Sequence, residues 1–307
     1  MDWTLTLIIF HLFILGMLAL DLQVFHRKAH AVTMREALVW SIFWVAISLL
    51  FCFVLFIWDS HTAALEFLTG YLIEKALSVD NLFVFIVIFS YFGVPSHLQH
   101  RVLFFGILGA LVMRAAFILI GALLISIFHW VLYLFGIILL FTGGKMLFGS
   151  DMDIDPGKNV VIRFCRKFFP VTADYEGQRF IVRRDKGYFI TPLFLVLITI
   201  ETSDIVFAVD SIPAIFAITQ DTRIVYTSNI FAILGLRALY FLLAGFIKKF
   251  EYLKIGLSIV LLYVAIKMLL VDVVRIPIIV SLGGVLLILT VSVIASLRKK
   301  GRNKFSS

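Results

Sequence analysis

The feature that most restricts this chain is a series of long apolar blocks, most of them about 18 to 30 residues in length. About 20 consecutive apolar residues in a helix cross the hydrocarbon core of a bilayer. Hydrophobic residues make up 62% of the 307 residues and charged residues only 15%, whereas a soluble domain carries about 25% charged residues. The chain is therefore predicted to be an all-α polytopic membrane protein.

Nine blocks are predicted as membrane spans. They cover residues 3–24, 38–58, 63–92, 101–128, 130–148, 190–219, 225–248, 254–272 and 277–297. The first three residues include no Lys or Arg, unlike the start of a cleavable signal peptide, so the first span is expected to be retained.

The basic residues determine the predicted orientation. With the N-terminus outside, and with the boundary residues Arg101, Lys248 and Lys254 counted with the inner loops that they adjoin, 20 of the 27 Lys and Arg residues fall in the inner loops and the C-terminal tail, 2 fall in outer loops and 5 lie within spans. The positive-inside rule describes this asymmetry, so an N-out, C-in topology is predicted. The same distribution accounts for the net charge of +8 without a nucleic-acid partner.

The two cysteines are predicted to lie on opposite sides of the membrane. Cys52 is toward the outer end of the second span, and Cys165 is in the long inner loop. They form no C-x-x-C motif. Neither an intrachain disulfide nor a dithiol redox motif is therefore expected.

An internal repeat relates spans 3–5 to spans 6–8. Three charged residues of the first copy recur in the second at offsets of 124, 123 and 122 residues. The matched pairs are Asp80 with Asp204, Arg114 with Arg237, and Lys145 with Lys267. Because each copy has an odd number of spans, the two copies must face opposite ways across the bilayer. Inverted repeats are typical of secondary transporters, whose binding site lies near the midplane between the halves.

The repeat divides the chain into five segments. They are two N-terminal spans (1–62), the first repeat (63–148), an inner loop (149–189), the second repeat (190–272), and the last span with a basic tail (273–307). The acidic run Asp151–Gly157 in the loop lacks the glycine and the final glutamate of a calcium-binding loop. A solvated acidic turn is favoured there, with a regulatory cation site as the alternative.

Ionisable side chains within the third and sixth spans are the candidate functional residues. The acids and the amide that could hold a cation are Glu74, Asp80, Asn81, Glu201, Asp204 and Asp210. The bases placed deep enough to balance them are Lys75, Arg114 and Arg237. A charge at the bilayer centre costs about 2.5–3.5 kcal/mol, so these groups must pair or bind an ion. The acids exceed the bases by two charges, which suits one divalent cation or the protons that replace it; purely structural pairing is the alternative.

Proline 213 is the predicted helix break in the sixth span. At 100° per residue, Glu201 and Asp204 share one helix face, whereas Asp210 lies about 180° from Glu201. Pro213 has no N–H and its ring clashes with the carbonyl of Val209, so the helix is expected to kink or open there. Such an opening would turn Asp210 toward the other acids; a proline kink without function is the alternative.

Every candidate ligand atom is an oxygen. The hydroxyls beside the acids belong to Ser78, Thr202, Ser203 and Ser211, and His11 in the first span is expected to be a packed residue. Oxygen-only sites favour Mg²⁺, Ca²⁺ or Mn²⁺ over zinc or copper. Carboxylates take up protons when a metal leaves, so metal/proton antiport is a natural mechanism, and no permanently bound cofactor is expected. The sequence has no nucleophile–base pair and no nucleotide-binding loop, so neither an enzyme nor an ATP-driven pump is predicted.

Three stretches carry a resemblance to a known family: Leu68–Asn81, Glu201–Thr219 and Thr227–Tyr240. In these the chain resembles the TerC family of integral membrane proteins, and particularly its Alx-type branch. The resemblance implies a multi-pass protein of the bacterial inner membrane that is associated with manganese export, under an older heading of tellurium resistance. Some family members are labelled redox modulators. The family's acidic motif residues fall on Glu74, Asp80, Glu201, Asp204 and Asp210.

Two functions from different classes follow. The preferred one is a secondary transporter that exports Mn²⁺, with metal/proton exchange as one form of the mechanism and the lipid bilayer and the cation as its partners. The alternative is a membrane-bound redox modulator or tellurium-resistance component without transport activity of its own. Export is implied by the resemblance and not by the residues.

Overall fold

The computed structural model describes residues 10–14, 16–17, 33–148, 160–184, 187–244, 253–274 and 276–303. Within these ranges the chain forms ten principal helices and one two-stranded hairpin. The helices are α1 (Met34–Trp58), α2 (His61–Tyr91), α3 (Ser96–Ile127), α4 (Val131–Phe148), α5 (Val160–Phe168), α6 (Pro192–Phe216), α7 (Thr222–Leu234), α8 (Leu236–Ala244), α9 (Leu253–Leu269) and α10 (Ile278–Asn303). The hairpin pairs β1 (Ile181–Arg184) antiparallel with β2 (Gly187–Ile190).

Five of the described helices are long and apolar enough to cross a membrane, and six are if the bent pair α7–α8 is one span. The five are α1, α3, α4, α6 and the first 19 residues of α10. Helix α2 has 31 residues but contains four charged ones, and the apolar part of α9 is short. The prediction of an all-α polytopic membrane protein is confirmed. The nine-span topology, the N-out orientation and the inverted repeat stay predictions, and most of the first span lies outside the described residues.

The seventh predicted span is broken rather than straight. Helices α7 and α8 meet at Gly235 with a bend of 43°. A Cβ at Gly235 would lie 2.8 Å from the Lys75 ammonium and 3.1 Å from the Trp44 Cβ, so a larger residue would require both side chains to shift. The Lys75 Nζ donates a hydrogen bond to the carbonyl of Ala232 at 3.1 Å. Lys75 therefore satisfies a backbone acceptor in the last turn before the break.

The helix opening expected at Pro213 is not observed. Helix α6 is continuous from Pro192 to Phe216, with Pro213 in its last turn. In that position the proline removes only the hydrogen bond to the Val209 carbonyl. The chain leaves the helix just afterwards, where the Ala217 N–H donates to the Pro213 carbonyl at 3.0 Å.

Helices of the two predicted repeats interlock instead of forming separate halves. Helix α2 packs on α7, α3 packs on α6, and α4 packs on α9. Helices α1 and α10 lie outside this arrangement, α1 along α2 and α8, and α10 along α9 and α2. Each of these three packed pairs thus joins one helix of the first predicted repeat to one helix of the second.

Two apolar clusters fill the interior at different depths. On α3 the first cluster includes Ile107 and the second Ile118; on α6 the first includes Ile200 and the second Ala208. The stretch of each helix between these residues lies where the two clusters meet. Arg114 on α3 and Asp204 on α6, both buried, lie within these stretches.

The loop 149–189, which the sequence presented only as mixed in charge, is partly folded. Helix α5 packs against α6, with Cys165 buried beside Ile190 and Leu195. The Tyr175 hydroxyl donates to the Phe92 carbonyl at 2.8 Å. The hairpin and α5 therefore dock at the end of the bundle where α2 ends and α6 begins. The acidic run at 151–157 lies outside the described residues.

Candidate functional site

Arginine 114 is the centre of a buried ionic network between α2, α3 and α6. Its Nε and Nη2 donate to the two carboxylate oxygens of Asp204 at 3.1 and 3.0 Å. Its Nη1 donates to Glu74 Oε1 and, at 3.3 Å, to Ser211 Oγ. Arg114 is 1% exposed, Glu74 0% and Asp204 4%. One arginine thus holds one acid from each predicted repeat, as sequence reasoning expected of a deep base.

The network is strong and still carries a formal negative charge. The Asp204 contact is bidentate, with Nε and Nη2 on one edge of the guanidinium each donating to one carboxylate oxygen, a geometry that gives strong charge-assisted pairs. Two carboxylates face one guanidinium, so the formal charge of the three side chains is −1. Ser78 is fully buried one turn after Glu74, and its hydroxyl donates a hydrogen bond to the Glu74 backbone carbonyl at 2.6 Å.

Glutamate 201 lies on the same face of α6 as Asp204 and against α3. A Cβ added to Gly109 would overlap the Glu201 carboxylate. The Glu201 side chain therefore packs directly against the backbone of α3 at Gly109. Glu201 Oε2 and Glu74 Oε2 are both buried oxygens without a hydrogen-bond partner among the residues that the structure describes. A buried acceptor without a partner costs about 1–3 kcal/mol. A proton or a cation would remove that cost.

Aspartate 210 faces away from this network. Its Oδ1 accepts a hydrogen bond from the Thr142 hydroxyl of α4 at 2.9 Å. Since α6 stays helical through Pro213, the 180° separation from Glu201 keeps Asp210 on the opposite face. The structure therefore does not bring Asp210 to Glu74 and Asp204, contrary to the expectation built on a helix break.

The remaining predicted site residues are placed as follows. Asn81 is buried in α2 and Arg237 in α8, at 3% and 2% exposure. Asp80 lies in α2, and nothing is described of its side chain. Lys75 is directed to the α7 carbonyl rather than to the arginine network. Within the described part of the chain no group of three or more His, Cys, Asp or Glu could hold a metal ion.

Three residues that contact the candidate site residues were not predicted from the sequence. Gly109 leaves space for the Glu201 carboxylate, Gly235 leaves space for the Lys75 ammonium, and the Thr142 hydroxyl donates a hydrogen bond to Asp210. The hydroxyls of Thr202 and Ser203, considered as ligands, instead bond to carbonyls one turn earlier in α6 at 2.6 and 2.9 Å. Gly109 is the second glycine of the stretch F-G-I-L-G-A at residues 105–110 in α3. These glycines were the available signal, since an isolated glycine in a helix costs stability and therefore indicates a packing role.

Comparison with known proteins identifies the family. Residues 59–304 match the model of the integral membrane protein TerC family. An Escherichia coli K12 protein that carries the provisional name membrane-bound redox modulator Alx is 50% identical over 287 residues, covering 91% of this chain and 89% of that protein. No solved structure matches the chain.

Two further relatives carry names that state no activity. An uncharacterized membrane protein of Myxococcus xanthus, STKORF319, is 49% identical over 287 residues, covering 94% of this chain and 90% of that protein. An uncharacterized membrane protein of Rickettsia bellii is 43% identical over 300 residues, covering 98% of each chain. With the family match over most of its length and relatives this similar, the chain belongs to the TerC family of integral membrane proteins.

Proposed function

We propose that this protein is a secondary transporter that exports a divalent cation, Mn²⁺ in the first place, through the carboxylates around Arg114. The observation that carries the proposal is the arrangement of Glu74, Asp204 and Glu201. Glu74 and Asp204, one acid from each predicted repeat, are buried on the same arginine, and the partly buried Glu201 shares a face of α6 with Asp204. One oxygen of Glu74 and one of Glu201 have no hydrogen-bond partner among the described residues. A buried site with surplus carboxylate charge attracts a cation or a proton.

The ligand chemistry supports a hard cation. Carboxylate and hydroxyl oxygens surround Arg114, and the nearest hydroxyl is that of Ser211. Mg²⁺, Ca²⁺ and Mn²⁺ prefer such oxygen ligands. With Glu201 included, three carboxylates against one guanidinium leave a formal charge of −2, which one divalent cation or two protons would balance.

Arg114 acts in this proposal as a built-in competitor of the ion. In the conformation described, its guanidinium occupies both oxygens of Asp204 and one of Glu74. A cation that binds these oxygens must displace it, and a cation that leaves lets it return. Arg114 would thereby keep the emptied site from being left with uncompensated buried charge, which is costly.

The packing of the helices supports movement of one repeat against the other. The predicted repeat matches α2 with α6, α3 with α7, and α4 with α9. The packed pair α2–α7 of one copy therefore corresponds to the packed pair α6–α3 of the other, and the pair α4–α9 corresponds to itself. Glu74 and Asp204 lie on the two inner helices of this arrangement. In transporters with inverted repeats, rocking of one repeat exposes a central site to each side in turn.

The cellular setting follows from the family and the relatives. The chain is a multi-pass integral membrane protein, and we place it in the bacterial inner membrane because the relatives named above are bacterial proteins. We propose no enzymatic activity. The proposed partners are the lipid bilayer, the metal ion and exchanged protons.

A redox role is the second candidate, because several relatives are named for one. The two cysteines would be its simplest agents. Cys52 is half-buried in α1 and its thiol donates to the Ala64 carbonyl at 3.4 Å, while Cys165 is buried under the hairpin. If the Cys52→Ser, Cys165→Ala protein retains full activity in cells, a thiol-based role is refuted.

Cellular manganese tests the transport proposal. Glu201→Gln removes one carboxylate charge, keeps the size of the side chain and leaves the Arg114 pairs intact. In cells that depend on this protein for manganese tolerance, the variant should raise the intracellular manganese content toward that of cells lacking the protein. Asp272→Asn, an exposed acid bonded to Tyr133, is the matched control and should behave as wild type. Unchanged manganese in Glu201→Gln, with normal amounts of protein in the membrane, would contradict the proposal.

A further inference from the structure

A cavity of 290 Å³ opens at the end of the bundle opposite to the hairpin. Its walls come from both predicted repeats, with Glu66 on α2 and Leu132 on α4 facing Phe216 and Thr219 at the end of α6 and Lys267 on α9. In the predicted topology this is the outer end. We call it the Glu66 cavity.

The polar groups of the Glu66 cavity favour a positive charge. The Thr219 hydroxyl lies within hydrogen-bonding reach of the Glu66 carboxylate, and the Lys267 ammonium and Asp221 act on that carboxylate through space. Helix α6 ends at Phe216 and α9 at Leu269, both beside the cavity. Each helix C-terminus contributes about half a negative charge. The helix that begins at Val131, next to the lining residue Leu132, contributes an opposite partial charge and offsets part of this. The carboxylates of Glu66 and Asp221 are therefore the main charges that oppose the single ammonium of Lys267.

The size of the cavity suits a hydrated ion rather than a bare one. A water molecule occupies about 30 Å³ in the liquid, so six waters need about 180 Å³. The 290 Å³ of the cavity would therefore hold a divalent cation with most of its hydration shell. One carboxylate with a hydroxyl and backbone carbonyls is a typical partial ligand set for such an ion.

Phe216 separates the Glu66 cavity from the Arg114 network. Its ring lines the cavity and lies against Gly121 of α3, where an added Cβ would be 3.0 Å from the ring. Along α6 it follows Ser211, which contacts Arg114, by five residues or about 7.5 Å. Along α6 the two polar sites are therefore neighbours, with Phe216 and other apolar residues of the second cluster between them.

We propose that the Glu66 cavity is a second cation-binding site, in which a hydrated divalent cation binds between the Arg114 network and the outer medium. Glu66 supplies the charged ligand, and Lys267 is the tethered cation that pairs with Glu66 when the ion has left. The place of this site on the export path rests on the proposed function, whereas its ability to bind a cation does not.

Protection of a thiol at the cavity rim tests the proposal. Gln220 is exposed and lines the cavity, so Gln220→Cys is introduced into the Cys52→Ser, Cys165→Ala protein and labelled with a water-soluble thiol reagent. At ten times its Kd, Mn²⁺ should slow labelling about tenfold, because only empty cavities react. Glu66→Gln should abolish this protection.

Matched lysine variants distinguish a specific site from a general charge effect. Lys267→Gln removes the competing ammonium and should lower the Mn²⁺ concentration that gives half protection. Lys145→Gln, the repeat-equivalent residue, which is exposed on α4, should leave that concentration unchanged. Labelling that Mn²⁺ does not slow, or protection that persists in Glu66→Gln, overturns the proposal. Protection in a protein that moves no manganese refutes the proposed function and leaves the Glu66 cavity as a binding site.

Discussion

Replacement of Arg114 is the sharpest perturbation that the structure offers. Arg114→Met removes the guanidinium that holds Asp204 and Glu74 and leaves their carboxylates buried together. Breaking a buried ion pair from one side costs about 3–5 kcal/mol, a large part of a typical stability of about 5–15 kcal/mol. The thermal midpoint of the purified protein in detergent should fall accordingly. Arg114→Lys keeps the positive charge but loses the bidentate guanidinium, so its thermal midpoint should fall less.

Manganese should compensate for the missing arginine if the acids are an ion site. At 100 times its Kd, a ligand of the folded state adds about 2.7 kcal/mol, which would recover much of the loss. In wild type the ion must displace Arg114 first, so the stabilisation by Mn²⁺ should be smaller. A variant that adds Glu74→Gln and Asp204→Asn to Arg114→Met should unfold at a higher temperature than Arg114→Met and should not respond to Mn²⁺.

The result that would refute this reasoning is specific. If Mn²⁺ raises the midpoint of Arg114→Met no more than that of wild type, the carboxylates do not bind the ion, and the network is only structural. An Arg114→Met protein as stable as wild type without any metal would show that the acids were already neutral, and the assigned ion pairs would be wrong.

Three further predictions follow from individual contacts. Gly109→Ala should reduce the manganese flux, because the added methyl group displaces the Glu201 carboxylate. Gly144→Ala is the control and should leave the flux unchanged, because Gly144 has open space around it. Gly235→Ala should lower the thermal midpoint, because the new methyl group meets a buried ammonium at 2.8 Å. The hydrogen bond and charge of Arg223 lower the pKa of Asp221 below 3.8. The stabilisation of the folded protein by the Asp221–Arg223 pair is therefore present above about pH 4 and is lost as the pH falls further. The difference in stability between wild type and Arg223→Gln should accordingly shrink in unfolding scans below that pH.

The membrane character and the main charge pairing were predictable from local features of the sequence. Block length and composition identified the helices α1, α3, α4 and α6 to within a few residues at most ends. The depth of Arg114 within an apolar block required a buried acidic partner, since a charge there is costly. The i, i+3 spacing of Glu201 and Asp204 placed both on one face of α6, which the structure agrees with.

The parts that the sequence did not reveal depend on contacts between helices. At the bend, Gly235 lies close to Lys75 and Trp44 of other helices, and no pattern within α7 and α8 indicates those contacts. Pro213 was expected to open α6, but a proline in the last turn costs a single hydrogen bond, so Asp210 stays turned toward Thr142. Helix α5 and the hairpin were hidden because short elements in a mixed-charge loop have weak periodicity.

The most direct test of the central claim is ion flux through the purified protein in proteoliposomes. Mn²⁺, Ca²⁺ and Mg²⁺ would be offered in turn, with and without a pH gradient, to wild type, Glu201→Gln and the Asp272→Asn control. We predict Mn²⁺ movement that a pH gradient alters, that Glu201→Gln abolishes and that Asp272→Asn leaves intact. Vesicles with wild-type protein that move none of the three ions faster than protein-free vesicles would contradict it.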